Sequence, residues 1–127
     1  MIEITEKTIS DFIKENEFEF ISTHNKLSLF VINRIYKKMK NGIKFEDIKV
    51  NGNFIIDGHH RYISSKIAKI NIGNTNYPKT SATIEYSWNK VKFVNEEWDT
   101  IDKIKYLNEL DAEYNDITLE KIIEITK

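Results

Sequence analysis

The 127-residue chain contains no cysteine, which excludes disulfides, thiolate metal sites and cysteine nucleophiles, and it is long enough for one domain to bury a core without staples. No apolar run approaches the roughly 20 residues of a membrane span, and the acidic start Met1-Ile2-Glu3 does not resemble a secretory signal, so a soluble protein acting in the cytoplasm is expected, with any export signal on another segment or protein. The net charge of −1 hides an asymmetry: residues 1–25 carry −4, residues 26–92 carry +9 and residues 93–127 carry −6. A basic middle suits a phosphate-bearing partner, and it suits a plain solvated lysine face equally well.

In chain order, Ile9, Phe12 and Ile13 predict a short first helix capped by Thr8, and Phe18, Phe20 and Ile21 alternate with Glu17 and Glu19 as a strand does. The polar turn Ser22-Thr23-His24-Asn25 precedes an amphipathic helix from Leu27 to Asn41, with Leu27, Val31, Ile35 and Met39 on one face and Gly42 as its stop. Ile48-Lys49-Val50 and Phe54-Ile55-Ile56 flank Asn51-Gly52, a hairpin signal that aims Asp57 and Gly58 at the open end. Tyr62, Ile63, Ile67, Ala68 and Ile70 recur at helical spacing, so Gly58 opens a helix. Asn71 to Lys79 reads as a loop, and Ala82–Trp88 and Lys90–Val94 as two strands paired through Asn89. From Trp98 onward the pattern is helical and acidic. The expected architecture is one α+β domain, a small mixed sheet with helices around it.

Asp57-Gly58-His59-His60-Arg61 concentrates two of the three histidines and one of the two arginines at the strand-to-helix turn. Arg61 in the first helical turn offers a planar fork to a phosphate beside unpaired backbone N–H groups. His59 and His60 can serve as general base, general acid or metal ligand. Adjacent helical residues point about 100° apart, so one is expected to face the site and the other to pack. Asp57 can orient an imidazole, hold a divalent ion, or simply cap the helix. His24 joins the group if the two helix N-termini converge. Ser64 shares a face with His60 and Ser65 with Arg61, so a Ser–His pair is conceivable, though no Gly-x-Ser-x-Gly elbow supports it. P-loop, Gly-x-Gly-x-x-Gly and His-Glu-x-x-His patterns are absent. A metal held by Asp57, one motif histidine and a distant acid stays open.

The order of elements, with Gly58-His59-His60-Arg61 as a Gly-x-x-Arg phosphate signature and Ile43 to Val50 before the signature strand, resembles the ParB/sulfiredoxin superfamily over residues 22–94, specifically its ParB-like nuclease domains of bacterial polymorphic toxins. The segment Trp88-Asn89-Lys90-Val91 to Trp98-Asp99 is similar to the stretch downstream of the signature in such domains; residues 95–127 form acidic C-terminal helices. Sulfiredoxins carry a cysteine where His59 stands, so sulfinic acid reduction is not expected. Partition-type ParB proteins carry Gly-Glu-Arg-Arg and a helix-turn-helix domain after it, so centromere binding and a CTP-gated clamp are not expected either. The resemblance implies an active centre of Asp57, His59, His60 and Arg61 that cleaves phosphodiester bonds, in a toxin delivered as part of a larger secreted protein and neutralised by an immunity protein. Superfamily members also bind ATP or CTP, which leaves a nucleotide-dependent phosphotransferase or NTPase, or a non-catalytic nucleotide or nucleic-acid binding module, as alternatives.

Overall fold

Thr5, not Thr8, caps the first helix, α1 (Glu6–Glu15): its extended backbone lets the hydroxyl accept from the Thr8 N–H at 3.2 Å. This computed structural model describes residues 3–127, so the first two residues of Met1-Ile2-Glu3 lie outside the described residues. The alternating segment after α1 forms only isolated bridges, Ile21 with Phe54 and Ser22 with Tyr86. Aromatic packing overrides the strand pattern there. The Phe18 ring sits 5.7 Å from Trp88, the Trp88 indole donates to the Phe20 carbonyl at 2.8 Å, and the Tyr62 hydroxyl accepts from the Phe20 N–H at 3.3 Å.

The second helix begins later than its periodicity suggests. Lys26–Ser28 is a strand, β1, and α2 runs Leu29–Lys40. Ser28 decides the boundary, because its hydroxyl accepts from the Val31 N–H at 3.2 Å and donates to the Glu96 carbonyl at 2.6 Å. Leu29, Ile32, Tyr36 and Met39 enter the core, while Val31 and Ile35 turn toward a cleft. The helix stops at Asn41, and Gly42 comes next at φ +85°.

Strands β2 (Ile48–Asn51) and β3 (Phe54–Asp57) form the expected hairpin, but the turn residues are Gly52-Asn53. Gly52 has φ +59° and Asn53 does not share it, the pattern of a type II′ turn with glycine first. Helix α3 (His59–Ala68) begins directly after β3 and Gly58. The segment read as a loop contains β4 (Asn74–Asn76), an exposed polar strand parallel to β2. No strand forms over 82–88; Trp88–Lys90 is a 3₁₀ turn, and β5 (Lys92–Val94) pairs in parallel with β1 instead of through Asn89. The fold is α+β with five α-helices among the described residues, and the single mixed sheet expected is instead two small ones, β1-β5 and the mixed β3-β2-β4.

Two acidic helices close the chain: α4 (Ile101–Tyr114), capped by Thr100, and α5 (Leu119–Thr126), capped by Thr118. The main core gathers Ile9, Leu27, Ile32, Ile48, Ile55 and Ile63, all fully buried. A smaller cluster of Ile43, Ala112 and Ile122 holds the C-terminal helices. Polar contacts add to it, since Asn115 exchanges hydrogen bonds with the Lys44 backbone at 2.7 and 3.0 Å. Among the described residues no helix is long and apolar enough to cross a membrane.

Candidate functional site

The turn from β3 into α3 requires glycine twice over. Gly58 sits at φ +96°, and a Cβ there would lie 2.7 Å from Ile48 Cγ2 and 2.8 Å from Arg61 Nη2. No side chain caps α3, so the amides of its first turn, at His59, His60 and Arg61, are donors with no intrahelical acceptor. The Arg61 guanidinium folds back over Gly58 and lies 3.6 Å from the exposed Asp57 carboxylate. Asp57 is therefore neither the cap nor the partner of an imidazole. It precedes the cap residue and its charge faces Arg61.

Both motif histidines take their partners from the chain before α2. His59 Nε2 accepts from the Thr23 N–H at 3.0 Å; the Thr23 hydroxyl, 3.2 Å away, donates to the Ile55 carbonyl at 2.6 Å. His60 Nε2 accepts from the Ser28 N–H at 2.9 Å. In each neutral ring the proton then sits on Nδ1, and the lone pair a base would use is already engaged. Burial, then the neighbouring His24 and His60, lowers the His59 pKa to about 3. Burial, then His24, lowers His60 to about 4, with Asp99 opposing and Arg34 and Lys103 adding to the effect. Both are neutral at pH 7.

The two helix starts do converge on His24: its ring stacks on His59 with centroids 4.0 Å apart and planes within 13°. His24 is exposed, and among the described residues its ring nitrogens have no protein hydrogen-bond partner. Ser64 and Ser65 do not join. Ser64 is fully buried and donates to the Ile32 carbonyl at 3.2 Å, and Ser65 donates to the Tyr62 carbonyl at 2.6 Å, so neither is a nucleophile for this site. The Asp57-centred metal set does not assemble, since among the described residues no three His, Asp or Glu side chains group to hold an ion.

His24, Asp57, Gly58, His59, His60 and Arg61 line one cleft of about 950 Å³ between the α3 N-terminus, α2 and α4. Its other polar groups come from outside the Asp-Gly-His-His-Arg motif. Arg34 pairs with Glu97 and, at 3.0 Å, with Asp99, which also meets Lys103 at 3.0 Å. The Arg34 hydrogen bond is the main reason the Glu97 pKa is lowered. Lys38, almost fully buried, meets Asp111 at 2.7 Å. Trp98 stands edge-on to His60 at 5.3 Å. Arg34 was findable, being the other arginine of a chain that otherwise uses lysine. Trp98 and Asp99 end the segment noted as similar to the stretch downstream of the signature, but nothing local in them points to the cleft, to which the return of the chain through β5 brings them. No protein-family model, curated protein or solved structure matches the chain.

Proposed function

We propose that the cleft binds a phosphodiester at the α3 N-terminus and cleaves it, a nuclease of the bacterial toxin type, with His24 moving the proton. The carrying observation is the exposed His24 imidazole stacked at 4.0 Å on neutral His59, beside an uncapped helix start that holds Arg61. Arg61 and the first-turn amides stabilise charge growing on the phosphoryl oxygens. His24 takes the proton of the attacking oxygen as its bond to phosphorus forms and the bond to the leaving oxygen breaks. His59 and His60 fix the geometry: neutral, the first buried and the second half-buried, and tied to Thr23 and Ser28 on either side of His24. The likeness of residues 22–94 to ParB-like nuclease domains supports the same reading, as does the basic middle of the chain.

Cleft size favours a second reading. About 950 Å³ with Val31, Ile35, Ile104 and Leu107 in its walls suits a single nucleotide, as an NTPase or phosphotransferase requires. Incubating the chain with labelled DNA, labelled RNA and ATP, with and without EDTA, separates the two. Nuclease action predicts polymer cleavage that falls at least about 100-fold in His24→Ala and in Arg61→Ala. Phosphate release from ATP with both polymers untouched selects the second reading, and tight binding without turnover leaves a binding module. Expression of the wild type, and not of Arg61→Ala, is expected to arrest a bacterial host.

A further inference from the structure

We infer that the half of the cleft walled by α2 and α4 reads a nucleobase, with Asn108 accepting a hydrogen bond from the exocyclic amino group of adenine or cytosine. This rests on the reading of Gly58 and Arg61 as the phosphate site. Ile104, Leu107, Asn108 and Asp111 lie at three- and four-residue spacing on one face of α4, and all four line the cleft. Asp111 is committed to Lys38. Asn108 is 7% exposed, and its Oδ1 is the one buried side-chain nitrogen or oxygen among the described residues with no hydrogen-bond partner. An enclosed amide oxygen without a donor destabilises the empty protein, and a ligand that supplies the donor relieves it. The amide χ2 torsion is broad, so the oxygen can turn to meet a group entering from the cleft.

The rest of the wall says what kind of donor it is. Trp98, 41% exposed and held edge-on to His60, supplies an aromatic surface of the kind on which bases stack, and Val31 and Ile35 supply apolar wall from α2. A planar ring carrying an N–H donor, tethered to a phosphate, is a nucleotide. Asparagine matches an amino group beside a ring nitrogen, as adenine and cytosine present it. Hypoxanthine and uracil put a carbonyl where that amino group stands, so in the orientation that satisfies Oδ1 oxygen would face oxygen, and binding them requires the amide to turn over. Asn108 lies outside residues 22–94, so the segment that carries the family likeness does not supply this contact.

The test is calorimetric titration of the full chain with AMP, IMP, CMP, UMP and inorganic pyrophosphate, for wild type, Asn108→Leu, Asn108→Asp and Arg61→Ala. One amino nucleotide is expected to bind at least about tenfold tighter than its oxo counterpart, with the AMP and CMP arms telling adenine from cytosine. Asn108→Leu brings that pair within about twofold and leaves pyrophosphate affinity unchanged, while Asn108→Asp, which keeps an acceptor, retains the preference. Thermal melting establishes that the variants are folded. Equal wild-type affinity within both pairs, with pyrophosphate binding still dependent on Arg61, overturns the base assignment and spares the phosphate site. Failure of every ligand, pyrophosphate included, overturns the phosphate reading and this one with it.

Discussion

Gly58 is the residue on which the site turns. Its left-handed φ of +96° and the 2.7 Å approach that a Cβ would make to Ile48 act together. Gly58→Ala is therefore expected to lower unfolding free energy by at least about 2 kcal/mol, from strained backbone and the clash combined. The same change pushes the Arg61 guanidinium away from the amides. Urea denaturation reads the first effect and pyrophosphate affinity the second; an alanine variant of wild-type stability and affinity would contradict both. The glycine, the arginine and the strand-to-helix turn were legible in the sequence, because rare residue types at a change of period are a local signal. The roles of the histidines were not. Whether an imidazole is a base depends on who donates to it, and the donors, Thr23 and Ser28, lie 36 and 32 residues away. For that reason His24→Ala is expected to abolish turnover with little loss of stability, whereas His59→Ala and His60→Ala lower the melting temperature.

Among the elements, the α2–α4 relation is the one no local pattern foretells. Lys38 is one of three lysines in the last turn of α2, where their charge suits the negative end of the helix dipole, and nothing in that pattern marks it as the one that is 4% exposed and paired with Asp111 from far along the chain. Likewise β4 is Asn-Thr-Asn, with no alternation to betray it, and forms because β2 offers an unpaired edge. The β2–β3 hairpin and helices α1 and α3, by contrast, carry their period in their own residues. Asp111→Ala leaves the Lys38 ammonium enclosed without a counter-ion and is expected to cost about 3 kcal/mol or more. Lys38→Met with Asp111→Leu restores most of that loss, because the double change removes both buried charges. Denaturant midpoints of the two variants and the wild type decide it; a single variant as stable as the double one would refute the assignment of this pair as the clasp between α2 and α4.

For the protein as a unit, the imidazoles of buried His59 and half-buried His60 make stability depend on pH in a window where few other groups titrate. In the folded protein the His59 pKa is lowered to about 3 and that of His60 to about 4, while in the unfolded chain both return to the ordinary value of 6.5. Between those limits the unfolded state binds more protons, so stability rises with pH; it is fully present above about pH 6.5 and is lost as the pH falls toward the folded-state values. At roughly 1.4 kcal/mol per unit, acidifying to pH 5 removes about 2 kcal/mol for each imidazole, or about 4 for the pair. That is a large part of the 5–15 kcal/mol typical of a domain. Glu97 does not produce the same slope, since its pKa is lowered from 4.5 and so it loses its stabilising charge only in more acidic solution. Urea midpoints measured at half-unit steps from pH 7 to pH 5 are expected to fall steadily in the wild type. In His59→Gln/His60→Gln, where a carbonyl oxygen replaces each Nε2 acceptor without titrating, they should stay within about 1 kcal/mol of flat. A wild-type midpoint that does not move over this range would mean that the imidazoles are not held neutral by burial, and the assignment of proton transfer to His24 would lose its ground.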